Sequence, residues 1–193
     1  MLNLSVLTAS KLTDTLNDIV KGCIEGKRIA QEQLYRLYSS KMYAVCLRYC
    51  QDSDEAKDIL QDGFIKVFDK IHQIKNIAST EGWIRRIMVN TALEYFRRKP
   101  LNIFIDQLPD IKEEEPEEPY FELTSNELLT LVNKLPNRYR MVFNLYVFEE
   151  MSHKEVAEAL NITEGTSKSD LSRARAILQN KIYSISKKVV NIG

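Results

Sequence analysis

Apolar residues recur along this chain at intervals of three and four, the period of helices with one buried face. Over 11–25 the stripe is Leu12, Leu16, Ile19, Val20 and Cys23, and Gly26 suits the end of that helix. A second helix is predicted over 29–50, with Leu34, Leu37, Tyr38, Met42, Val45, Cys46 and Tyr49 as its apolar positions. Gln51-Asp52-Ser53-Asp54 is a break and a new cap. The third helix, 54–74, is two-faced: Ala56, Ile59, Leu60, Phe64, Val67, Phe68 and Ile71 on one side, and Glu55, Asp58, Gln61, Asp62 and Asp69 on the other. A polar loop, KNIASTEG over 75–82, precedes a fourth helix marked by Trp83, Ile84, Ile87, Met88, Thr91, Ala92 and Tyr95 and closed by Arg97-Arg98-Lys99-Pro100. Four helices with short links predict one helical domain over 11–100.

The pattern then breaks. Residues 101–123 include KEEEPEEPYFE, in which Pro116 and Pro119 stand among glutamates. Proline blocks helix continuation and like charges repel, so an extended acidic linker is expected, with a reach of at most about 75–80 Å. A second helical domain is expected over 124–186. It holds helices at 124–133 and 137–148, the latter with Tyr139, Val142, Phe143, Tyr146 and Val147 inward, then a short basic tail from Ser184. Between them lies SHKEVAEALNITEGTSKSDLSRARAIL, two short helices and a tight turn. Ser152 and Glu155 have the spacing of a capping box. Asn161 suits a turn residue at positive φ, and Thr163 can cap the second helix. That helix turns Leu171, Ala174 and Leu178 inward and leaves Lys168, Ser169, Ser172, Arg173 and Arg175 on other faces. Helix-turn-helix and plain helical hairpin with solvated charges both fit this pattern.

Composition narrows the choice. With 44% hydrophobic and 28% charged residues, and only 6 Gly and 5 Pro in 193, the chain is a folded, helix-rich protein. No apolar run is long enough to cross a bilayer, and the first residues carry no basic n-region, so a cytoplasmic protein without direct membrane contact is expected. The net charge is zero but unevenly spread. Arg85, Arg86, Arg97, Arg98 and Lys99 face the single acid Glu94 in the fourth helix, and the last third is also basic. Local basic faces, rather than the total, attract phosphate.

The basic fourth helix also carries the only tryptophan, Trp83, with Tyr95 and the amide of Asn90. Basic groups for phosphates with aromatics and amides for unstacked bases are the ingredients of single-strand binding, although such aromatics also serve as core. The outer face of the third helix is acidic and so unsuited to DNA; protein docking and simple solvation are its two readings. Cys23, Cys46 and Cys50 are too few and too irregular for a disulfide framework and read as buried thiols, with a thiol or zinc sensor as the alternative. Neither histidine has an adjacent nucleophile or ligand motif, which ranks an enzyme last and implies no cofactor or metal. A repressor or response regulator would need a receiver or ligand domain, and no phosphate loop or βα alternation marks one.

The order of these pieces resembles the extracytoplasmic-function group of bacterial sigma factors, over about residues 12–183. The resemblance is carried by DEAKDILQDGFIKVFDKI, WIRRIMVNTALEYFRR, the acidic linker and LPNRYRMVFNLYVFEEMSHKEVAEALNITEGTSKSDLSRAR. It implies an all-α protein of two domains, sigma region 2 and a helix-turn-helix sigma region 4. It also implies a non-catalytic factor that binds core RNA polymerase through the β′ clamp helices and β flap, reads promoter −35 and −10 elements and opens the duplex. Polymerase docking would fall on Asp58, Gln61 and Asp62. The −10 contacts would fall on Asn76, Trp83, Arg85, Arg86, Asn90 and Arg98, and the −35 contacts on Lys168, Ser169, Ser172, Arg173 and Arg175. An anti-sigma factor is a further implied partner. Two residues depart from the family pattern, which has Arg at Asp170 and Val at Ser167. Asp170 either accepts from a cytosine amino group or faces away from DNA, and Ser167 implies a repacked hairpin core.

Overall fold

The computed structural model describes residues 15–50, 52–98 and 124–190. The expected linker at 101–123 lies outside them, as do the start of the first helix and the chain's last three residues. Every regular element among the described residues is helical, as the periodicity predicts. The chain divides between Phe96 and Arg97 into two compact units.

In the first unit, helix α1 covers 15–24 and ends with Gly26 at φ +73°, a conformation glycine adopts without steric cost. Helix α2 spans Arg28–Leu47, shorter than the predicted 29–50 at its C-terminal end. Its buried stripe includes Ala30, Leu34, Tyr38 and Met42, a step of four. Leu37 stands one residue off that stripe and is 50% exposed, contrary to its expected place in the core. Helix α3 spans Ser53–Lys70 and is capped by Asp52, whose carboxylate accepts from the N–H groups of Asp54 and Glu55, both at 2.9 Å. A 3-10 turn, Ile71–Gln73, finishes it. At Gly63 a Cβ would lie 2.2 Å from the sulfur of buried Met88, so glycine is what lets the end of the Met88 side chain pack directly on α3.

Helix α4 spans Thr80–Arg98 and begins inside the stretch predicted as loop. A 3-10 turn at Ile77–Ser79 leads into it, and the buried Thr80 hydroxyl donates to the Ile77 carbonyl at 2.6 Å. That bond ties the turn to the helix start and leaves only 75–76 as open loop.

The second unit holds α5 (Ser125–Asn133), α6 (Asn137–Phe143), a π-helical turn (Asn144–Phe148), α7 (His153–Leu160) and α8 (Glu164–Val190). Thr124 and Glu127 form a capping box at α5, and Ser152 and Glu155 form one at α7. Asn161 is left-handed at φ 55°, ψ 48°, so the predicted turn chemistry is realised. The predicted helix 137–148 changes character partway, because the Glu149 N–H reaches back five residues to the Asn144 carbonyl at 3.2 Å. Within that turn Val147 points outward, 40% exposed rather than buried. Helix α8 continues into the stretch read as a tail, as far as Val190. The reason is apolar: Ile177, Ile182 and Ile185 pack on the cluster of Leu131, Val132, Leu135, Ala174 and Leu178.

Candidate nucleic-acid interface

Helix α8 sorts its residues cleanly. Ser167, Asp170, Leu171, Ala174 and Leu178 are buried, and at 100° per residue they occupy one side of the helix. Lys168, Ser169, Ser172, Arg173 and Arg175 are all exposed on the remaining arc. The five residues expected at a major groove therefore share one solvent-facing surface. Thr163 starts the helix as predicted, its hydroxyl oxygen accepting from the Thr166 N–H at 3.0 Å. Lys168 pairs with Glu164 one turn earlier at 2.9 Å, and that hydrogen bond holds the Glu164 carboxyl below its usual range. Such an exposed pair is weak enough to open toward a phosphate. The Ser169 hydroxyl donates to the Thr166 carbonyl at 3.0 Å.

Asp170 and Ser167 both face inward. Asp170 is 0% exposed and accepts from Arg138 of α6 twice, Nε at 2.5 Å and Nη2 at 3.0 Å. The carboxylate in turn raises the Arg138 pKa above its ordinary value, chiefly through the hydrogen bond. Asp170 is therefore turned into the unit's interior, away from the exposed arc of α8. Ser167 places its hydroxyl 3.0 Å from Nδ1 of His153, the first residue of α7. The hairpin core is thus repacked with polar pairs where the family pattern has an apolar residue. Neither partner was recognisable in sequence, since Arg138 and His153 lie 32 and 14 residues away.

In the first unit, α4 brings together some of its predicted residues and separates one. Trp83, Arg86 and Asn90 follow each other at three and four residues and form one stripe, with Arg86 and Asn90 exposed and Trp83 half-buried. Glu94 continues that stripe, and its charge is met by Lys66 of α3 at 2.8 Å. Arg98 is exposed in the last turn, about 12 Å along the axis from Asn90. Arg85 falls on the opposite side, half-buried near the directions of Val89 and Ala92. Asn76 is exposed, and its amide oxygen accepts from the Ala78 N–H at 3.0 Å, capping the 3-10 turn.

On α3, Asp58, Gln61 and Asp62 are exposed on the face away from the core. The same face carries Ile65, 60% exposed, which the apolar pattern did not single out. The available signal was its position, one residue past Phe64 and off the buried stripe. The three thiols are buried, and burial pushes Cys23 up to about 11 and Cys46 up to about 12. Cys23 and Cys46 are thus protonated at neutral pH, the form least able to bind zinc or attack a disulfide.

Comparison with known proteins places the same two units. Residues 34–100 match the family model for sigma-70 region 2, and residues 125–178 match that for sigma-70, region 4. The ECF RNA polymerase sigma factor SigM of Bacillus subtilis is 28% identical over 151 residues, 77% of this chain and 92% of that protein. SigW of the same organism is 28% identical over 181 residues, 86% of this chain and 96% of that one. The ECF RNA polymerase sigma-E factor of Haemophilus influenzae is 29% identical over 196 residues, 92% of this chain and 99% of that one.

Proposed function

The chain belongs to the extracytoplasmic-function sigma factors, alternative sigma factors that direct promoter recognition in transcription initiation, and from that premise we propose how its surfaces divide the work. Residues 11–100 act as the region 2 domain, 101–123 as an acidic tether and 124–186 as the region 4 domain. The exposed arc of α8 enters the major groove of the −35 element. Ser169, Ser172 and Arg173 face base edges and phosphates there, while Lys168 and Arg175 contact phosphates. On α4, Trp83, Arg86 and Asn90 engage the −10 element with Asn76 and Arg98 at the two ends of the surface. Arg85 supports that surface from the core side.

Opening is driven without ATP, because captured bases compensate for lost stacking. The acidic stripe Asp58, Gln61 and Asp62, with Ile65 as an apolar anchor, docks on the β′ clamp helices of core polymerase, and the second unit meets the β flap. The factor performs no catalysis of its own, works in the cytoplasm and is held inactive by an anti-sigma factor.

The observation that carries this reading is the placement of all five expected −35 residues on the one exposed face of α8, with both departures turned inward. Its test is a pair of substitutions assayed with core polymerase on genomic DNA. Arg173→Ala should weaken −35 binding by about five- to a hundredfold, the range of a lost groove contact. Asp62→Ala should weaken polymerase binding and leave free-DNA affinity unchanged. A wild-type chain that never associates with core enzyme, or whose complex starts no transcript, would end the proposal.

A further inference from the structure

Behind the exposed arc of α8 lies a run of side chains that the −35 reading does not use. The π-helical turn Asn144–Phe148 fits one more residue per turn than an α-helix and carries Tyr146 on it. The Tyr146 ring stacks on the His153 imidazole, with centroids 4.5 Å apart and planes 26° from parallel. The guanidinium carbon of Arg175 sits 5.9 Å from the centroid of the same ring. Through Ser167, His153 is tied to the buried side of α8. Arg175 is exposed, on a long and otherwise mobile side chain with rotamer entropy to lose on binding.

We propose that Tyr146 is a positioning residue for DNA binding: its ring, itself fixed by His153, holds the Arg175 guanidinium ready for a backbone phosphate beside the −35 element. A cation over an aromatic face is attracted to it, and an arginine already ordered has less freedom left to lose when it meets phosphate. The proposal rests on the reading of Arg175 as a phosphate contact. It adds a residue from outside the recognition helix to what sets promoter affinity.

The test is a double-substitution cycle on holoenzyme binding to a duplex promoter fragment mapped by transcription with that holoenzyme. Arg175→Ala should lower affinity and reduce the salt slope by about one counterion. If it does neither, the phosphate reading of Arg175 fails, and this inference with it. Tyr146→Leu should cost about two- to fivefold in the parent, the scale of an exposed cation–π contact, and nothing in the Arg175→Ala background. Equal losses in both backgrounds would overturn the inference while leaving the Arg175 contact standing. Tyr146 is half-buried, so Tyr146→Leu must melt within a few degrees of the parent for its cycle to be read. Tyr146→Phe, which keeps the ring, supplies an independent arm: parental affinity and parental coupling to Arg175 support the proposal, and a loss as large as that from Tyr146→Leu overturns it.

Discussion

The two units hold their helices in different ways. Among the described residues, the buried polar side chains of the first are the threonines Thr80 and Thr91, while those of the second include Arg140, Asn144, Ser167 and Asp170. In the first unit α2, α3 and α4 meet through aliphatic and aromatic stripes, with Met88 packed on Gly63 and ion pairs at the edges, Lys66 to Glu94 and Lys41 to Glu81. In the second, α8 is tied to α6 by Arg138 and Asp170 and to α7 by His153 and Ser167. Apolar burial is non-directional, so it fixes which side of a helix faces in more firmly than how far the helix is rotated. A bidentate guanidinium–carboxylate pair is directional. The rotation of α8 decides which side chains form its exposed arc, the surface proposed to meet the groove, and that is the helix with polar anchors, Ser167 and Asp170, one turn apart on its inner side.

The sharpest way to break this contrast is to weaken each unit by its own means. Leu34, 0% exposed, is central to the first unit, and Leu34→Ala should cost about 3–4 kcal/mol through lost burial and the cavity left behind. All three cysteines lie in that unit, so their alkylation should accelerate as it opens. The same thiols give a pH test. Folded-state values of about 11 for Cys23 and about 12 for Cys46, against an unperturbed 9.0, mean that above about pH 9 the unfolded chain releases protons the folded unit retains. Stability of the first unit should therefore fall as pH rises through that window, and replacing Cys46 by Ala should flatten the fall.

Arg138→Ala should cost about 3 kcal/mol in the second unit, because it strands a buried carboxylate. The cysteines and Trp83 lie in the first unit, so alkylation and tryptophan fluorescence should hold while helicity is lost early. The double variant Arg138→Leu with Asp170→Leu removes both charges and should recover most of the stability. It should not recover −35 affinity if the pair sets the rotation of α8. A double variant that binds promoter DNA as tightly as the parent would show that apolar packing suffices and erase the distinction between the units.

The same contrast explains what could be read from the chain. The core of the first unit, the capping box at Ser152 and Glu155 and the left-handed Asn161 follow from local patterns, and each is present. The exposed arc of α8 is equally local, since it follows from the positions of Leu171, Ala174 and Leu178. What was not legible depends on partners distant in sequence. The family pattern already put Ser167 in the hairpin core and left Asp170 free to face away from DNA, but the partners that hold them there, His153 and Arg138, are brought to them only by the fold. Leu37 and Val147 are the converse, apolar residues whose helix positions fall off the buried stripe. The continuation of α8 into the predicted tail also needs a second element, the α5 residues of the cluster on which Ile182 and Ile185 rest.

The smallest expected effect divides the two anchors of α8. Ser167→Ala removes a hydroxyl 3.0 Å from His153 Nδ1 without adding volume. Its cost should be about 1 kcal/mol, the net value of a single hydrogen bond, because half-buried His153 can take water in its place. Ser167→Val removes the same bond, puts a methyl in the hydroxyl's place and adds one more at a position 0% exposed, so it should cost more than Ser167→Ala unless α7 shifts to admit the extra group. If both substitutions leave −35 affinity at the parental level while the double charge removal lowers it, Asp170 alone sets the rotation and Ser167 is packing. If Ser167→Ala lowers −35 affinity beyond its stability cost, the α7 anchor contributes to the pose of the recognition helix. That loss should then shrink when Tyr146 is already absent, because His153 links the two.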